Sequence, residues 1–179
     1  DNGEAIDDSF TIKKTDESTL PFTDVNRNDW FYSAVNYAYQ NKLFSGMSET
    51  TFAPNVSMSR AMLVQVLYNM AGKPEVSGTS SFRDVGSAWY QNAVTWASQN
   101  GIVYGTGKHT FSPESAVTRE QTAAILQRYM QKTGKDTSAS ADLSKYPDAA
   151  SVSAWAKDSM QWAVGSGLIE GVKSGSTVT

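Results

Sequence analysis

The sequence predicts an all-α fold built from tandem helix-loop-helix units. Three observations carry that expectation. First, the chain repeats itself: a shift of 59 residues carries Trp30 to Trp89, Ala34 to Ala93, Gly46 to Gly105, Phe52 to Phe111, Pro54 to Pro113 and Arg60 to Arg119. A shift of 66 then carries Trp89 to Trp155, Trp96 to Trp162, Ala97 to Ala163 and Gly105 to Gly171. Second, the apolar residues inside each copy fall at helical spacing. Third, no stretch reads as a convincing long strand. Internal repetition at this period is the mark of a modular array.

Each copy opens on an aromatic-acid signature, "FTDV" at Phe22, "FRDV" at Phe82 and "YPDA" at Tyr146. An amphipathic helix follows. Its inward residues in the second copy are Tyr90, Ala93, Val94 and Ala97, and in the third Ala156, Met160 and Ala163, with Ser159 in the remaining place. Gly101 and Gly167 stand where a left-handed C-terminal residue is wanted, and Lys42 breaks the rule in the first copy. A glycine-bearing loop and a Phe-x-Pro segment lead to the second helix, whose expected inward stripe in copy one is Leu63, Val66, Leu67 and Met70. In copy two that helix begins "TREQ": Thr118 as cap and Gln121 reaching back form a capping box. Copy three reaches Thr179 before a second arginine-headed helix.

Composition narrows the functional classes. The 179-residue chain is 40% hydrophobic and 11% aromatic, which suits a packed protein and not a disordered one. With no cysteine it has no disulfide framework, thiolate nucleophile or cysteine-based zinc site. Its lone histidine, His109, lies in the polar loop "GKHTF" without a nearby metal partner, so no metal or cofactor is expected. A net charge of −3 and the lack of a basic run argue against nucleic acid and membrane surfaces as partners. No apolar run is long enough to span a bilayer, and the polar, acidic start "DNGEAIDDSF" is not a signal peptide. Any anion recognition must be local.

The pattern "F-x-D-V … W-Y … A-V … A" followed by "G … F-x-P … T-R-E-Q" resembles the S-layer homology module of bacterial cell-surface proteins, from Pro21 to Gly171. That family commonly opens its second helix Thr-Arg-Ala-Glu; here the copies read "SRAM" and "TREQ", keeping the arginine and losing the glutamate. The resemblance implies three modules arranged as a pseudo-threefold spindle, at 21–77, 78–139 and an incomplete 140–179, together one domain, with 1–20 as linker or tail. It also implies an extracellular anchor, not an enzyme. Inter-module grooves would bind secondary cell-wall polysaccharide attached to peptidoglycan, often pyruvylated, at the bacterial wall or S-layer.

An arginine in a first helical turn needs a reason, because it faces the positive end of the helix dipole. Helix N-termini offer unpaired amides to an anion, and an arginine there adds a planar fork suited to a carboxylate. On this reading Arg60 and Arg119 hold an acid while Trp30, Trp89 or Trp155 covers a sugar face. Replacing either arginine should then weaken binding and leave the fold intact. The competing reading makes each arginine a structural bridge to the aspartate of an adjacent module. Asp24, Asp84 and Asp148 can accept from hydroxyls or hold the arginine, but short acids before a helix more often cap or make turns. The tryptophans read first as core residues with one exposed edge. Gly46, Gly105 and Gly171 serve loop geometry first and ligand approach second.

Two other classes compete with the anchor. A glycosidase needs two convergent carboxylates, and nothing requires Glu114 and Glu120 to converge. A helical scaffold for a protein or peptide is the stronger alternative, because stacked helix pairs make grooves. Copy three supplies only a first helix, with Met160, Trp162, Ala163 and Leu168 needing cover. The expected cover is a continuation past Thr179, an element of residues 1–20, or self-association through this module.

Overall fold

The computed structural model describes residues 19–174 and 177–178, with side chains through 172. Residues 1–18, which hold most of the expected linker or tail, lie outside them. Five α-helices are found among the described residues: α1 (Tyr32–Gln40), α2 (Arg60–Met70), α3 (Gln91–Gln99), α4 (Arg119–Lys132) and α5 (Lys157–Gly165). Short 3-10 turns at Leu143–Lys145, Ala149–Ser151 and Ala154–Ala156 lead into α5. The fold is all-helical, as expected, with one small addition. Lys173–Ser174 (β1) and Thr177–Val178 (β2) pair as a two-residue antiparallel ladder.

Both second helices start where the sequence places them. Ser59 and Thr118 sit in extended conformation, and each side chain accepts the amide three residues on. In α4 the box is closed by Gln121, whose Oε1 accepts from the Thr118 amide at 3.4 Å. In α2 the return partner is the sulfur of Met62, 3.5 Å from the Ser59 amide. The first helices end in a left-handed residue in all three copies. Lys42 (φ 57°), Gly101 (φ 68°) and Gly167 (φ 72°) occupy equivalent places, so the lysine takes the strained conformation without glycine's help.

The chain forms two compact units, Asp1–Pro54 and Asn55–Thr179. In the first, Phe22, Val25 and Val35 make a small core, with Tyr39 and Phe52 set edge-on to Phe22. In the second, the most extensive helix packing joins adjacent copies: α2 packs on α3, and α4 packs on α5. The main core joins Leu63, Val64, Leu67 and Tyr68 of α2 to Ala93, Val94, Trp96 and Ala97 of α3. The expected α2 stripe is therefore shifted: Ala61, Val64 and Tyr68 are buried beside Leu63 and Leu67, while Met70 is exposed. Copy three finds its cover inside the chain. Trp162 and Ala163 pack on Ala123, Leu126 and Met130 of α4, and only Leu168 of the four stays largely open. The preceding copy's second helix thus shields part of this face.

Candidate functional site

In copies one and two the aspartate of the aromatic-acid signature is a loop anchor. Asp24 accepts from the amides of Phe52 (2.9 Å) and Ala53 (2.7 Å). Asp84 repeats this with Phe111 (2.8 Å) and Ser112 (2.7 Å). Ala53 (φ 62°) and Ser112 (φ 58°) are left-handed, a conformation costing a non-glycine residue about 1 to 2 kcal/mol. Two amide bonds to one carboxylate offset that cost. The Phe52 amide holds the Asp24 carboxyl below its ordinary value; desolvation opposes the shift and the Ala53 amide adds to it. Desolvation pushes Asp84 upward, but the amides of Phe111 and Ser112, with the charge of Arg60, leave it below its ordinary value too. The structural reading of these two aspartates is the one their contacts support. Asp148 begins the 3-10 turn Ala149–Ser151 and lines a cleft with Arg119 and Tyr146.

The loop glycines follow the same logic. A Cβ on Gly105 would lie 2.8 Å from the Phe82 ring and 2.5 Å from the Thr110 carbonyl oxygen. One on Gly46 would meet the Phe22 ring at 2.5 Å, on a backbone already at φ 87°. Close approach of loop to aromatic ring requires both. Gly105 additionally lines the groove described next, and Gly171 lines the cleft beside Arg119.

The arginines clamp the following copy's loop. Arg60 is 4% exposed; its Nε donates to the Phe111 carbonyl (2.8 Å), Nη2 to the Tyr104 carbonyl (3.0 Å) and Nη1 to Gln121 Oε1 (3.2 Å). Its guanidinium also lies over the Phe111 ring, 4.6 Å from the centroid. Burial works against its charge, and Asp84 works for it. The first amides of α2 are taken as well: Arg60 N donates to Ser115 O and Ala61 N to Pro113 O, both at 2.9 Å. The expectation of open amides and a free fork at this helix start is corrected, because the adjacent copy's backbone fills both. The bridge exists, but it ends on carbonyls and an amide side chain, with the aspartate only nearby. Arg119 is exposed; its Nη2 donates to the Glu170 carbonyl, which the 66-residue shift matches to Tyr104.

The tryptophans reverse the core reading. Trp30, Trp89 and Trp155 are 93%, 60% and 57% exposed, whereas Trp96 and Trp162 supply the core. Trp89 rests edge-on against Tyr90, and Trp30 against Phe31. Trp155 is the one brought to an arginine. It lines an open groove of about 490 Å³ with Arg60, Tyr104, Gly105 and Thr106. That volume lies within the roughly 300 to 1,000 Å³ usual for small-ligand sites. The floor is one stripe of α4: Gln121, Ala124, Ile125 and Arg128. All three copies contribute to the groove, which adjacency in sequence does not suggest.

Arg128 and Tyr104 of the groove were not singled out from sequence. Arg128 stacks over the Tyr104 ring at 4.6 Å and is half-buried; desolvation works against its charge, and Tyr104 works the other way. Tyr104 precedes the loop glycine, where the other copies carry Ser45 and Glu170. Glu120 positions Trp155 from outside: its carboxylate accepts from Ser153 N and Oγ, both at 3.0 Å, two residues before the indole. The only sequence signal was that Arg128 lies seven residues from Gln121, two helical turns along one face.

Interlocked helix pairs, loops clamped by arginine and a cationic groove rimmed by an indole define a tandem-repeat surface module. The chain belongs to the S-layer homology domain family, whose model matches residues 21–61, 81–123 and 145–176. It is 29% identical to an endoglucanase of Bacillus sp. (strain KSM-635), over 93% of this chain and 18% of that protein. It is 31% identical to the surface-layer 125 kDa protein of Lysinibacillus sphaericus, over 86% of this chain and 13% of that one. A cellulosome-anchoring protein of Acetivibrio thermocellus is 27% identical over 64% of this chain and 27% of its own length. The chain thus spans between about an eighth and a quarter of these relatives. Family membership places it at the bacterial cell surface, with a general role in cell-wall and S-layer anchoring.

Proposed function

We propose that this chain is a non-catalytic anchor that binds secondary cell-wall polysaccharide in the groove beside Trp155, with an acidic, pyruvylated sugar as the preferred unit. The observation that carries this reading is the exposed Trp155 indole on the rim of a groove lined by Arg60 and Arg128. An indole face suits the apolar side of a sugar ring, and a cationic groove suits an acid on that sugar. The groove lining holds no carboxylate. It therefore lacks the pair of carboxyl groups that glycosidic cleavage ordinarily uses. The relatives' names support the same division: an endoglucanase, a surface-layer protein and a cellulosome-anchoring protein share this segment, so the shared part is better read as attachment than as activity. Sedimentation with purified bacterial wall tests the proposal. The chain should pellet with wall that carries its secondary polymer and stay in solution once that polymer is extracted. Equal pelleting with extracted peptidoglycan would contradict it, and failure to pellet with either wall would favour a protein or peptide partner.

A further inference from the structure

We infer that Arg128 is the residue in this groove that grips the ligand's acid, taking a carboxylate carried on a hexose ring, while Arg60 serves the fold. This rests on the groove reading above and goes one step past it. The two guanidinium groups face the same space but differ in occupancy. Arg60 has donors committed to two backbone carbonyls and Gln121. Arg128 has its guanidinium over the Tyr104 ring, 4.6 Å from the centroid, and among the described residues no hydrogen-bond acceptor or acid is paired with it. A guanidinium held over an aromatic face without an acceptor keeps its N–H donors for a ligand, and a planar carboxylate can take two of them as parallel N–H···O bonds.

The surroundings favour an anion at that edge. Two arginines and no acid line the groove, on a chain whose net charge is −3. Asp84, the acid whose charge acts on Arg60, accepts from the Phe111 and Ser112 amides. The arginine and its platform also occur together only in copy two. The 59-residue shift places Asn69 opposite Arg128 and Ser45 opposite Tyr104. A pair present together here and replaced together in copy one fits one joint task better than two separate packing roles. Trp155 stands on the same groove, held by the Glu120–Ser153 contacts, and supplies a second plane for the sugar.

Three methyl hexosides test this by calorimetry on the full chain: a 4,6-O-pyruvate ketal, the 4,6-O-isopropylidene ketal that replaces its carboxylate with a methyl, and a hexuronate. The wild-type chain should prefer an acidic probe over the isopropylidene ketal by about tenfold or more, the size of one charge-assisted contact. Whichever acid is preferred identifies the source of the carboxylate. In Arg128→Gln that preference should vanish while affinity for the isopropylidene ketal stays the same, and Arg128→Lys should restore only part of it. A preference that survives in Arg128→Gln overturns the assignment and leaves the groove standing. Failure of all three probes on the wild-type chain overturns the groove reading itself. Circular dichroism of both variants separates lost recognition from lost folding, and an Arg128→Gln chain that cannot fold would make Arg128 structural and end the proposal.

Discussion

Arg60 and Arg119 open the same helix in successive copies and end in different surroundings. Both reach to the following copy and donate to the carbonyl just before its loop glycine, Tyr104 in one case and Glu170 in the other. Arg60 is then sealed by the Phe111 ring and by Gln121, while Arg119 remains exposed. In sequence, Thr177 stands opposite Phe111, so the aromatic lid of the first clamp has no aromatic counterpart in the second. The motif fixes where an arginine starts; what covers it decides whether it is a strut or a surface group.

The largest effect that can break this comparison is Arg60→Ala. It removes the Arg60 donors from two backbone carbonyls and from Gln121, and should lower stability by about 3 kcal/mol or more. Arg119→Ala, at an exposed site, should cost about 1 kcal/mol or less. Urea unfolding of both reads the difference directly, and equal losses would remove the distinction between strut and surface group. A smaller change sharpens it. Thr118→Ala removes the cap of α4 and should cost about 1 kcal/mol. Because Gln121 both closes that cap and accepts from Arg60, the double variant Thr118→Ala/Arg60→Ala should lose less than the sum of its parts.

Acid titration compares the two aspartate anchors. Their carboxyls lie below the ordinary value when folded, so the stability they add is complete above the unfolded value near 3.8 and is lost as pH falls through the folded ones. Thermal melts between about pH 5 and pH 2 should therefore fall, and Asp24→Asn/Asp84→Asn should flatten that slope. An unchanged slope would mean that other carboxylates govern acid stability. The smallest expected effect is a gain. Thr95 is in the core of α3 with a hydroxyl that finds no partner among the described residues. Thr95→Val keeps the shape and removes that polar atom, so stability should rise by about 0.5 kcal/mol, readable as a higher urea midpoint.

Much of the fold was legible because it is written locally. Capping boxes, left-handed helix ends and helical periodicity depend on neighbours three or four residues away, and Ser59, Thr118, Gly101 and Gly167 all behave accordingly. Relations between copies were not legible. Repetition suggests that a copy's two helices cover each other, yet α4 shields Trp162 of the next copy. The same blindness affects the site: Trp89 and Trp155 match in sequence, but only Trp155 reaches the groove of Arg60. Arg128 escaped notice because an arginine on an exposed-looking helical stretch carries no local signature. Its meaning comes from Tyr104, 24 residues earlier in the chain.

The central claim is that recognition sits on the open rim of the groove while the buried clamp serves the fold. Trp155→Ala, followed by chemical unfolding and by calorimetry with solubilised secondary wall polymer, tests it most directly. The indole is 57% exposed, so stability should stay within about 0.5 kcal/mol of the parent. Affinity should fall about tenfold, the equivalent of roughly 1.4 kcal/mol of lost stacking and apolar burial. Full affinity in a stably folded Trp155→Ala chain would contradict the claim.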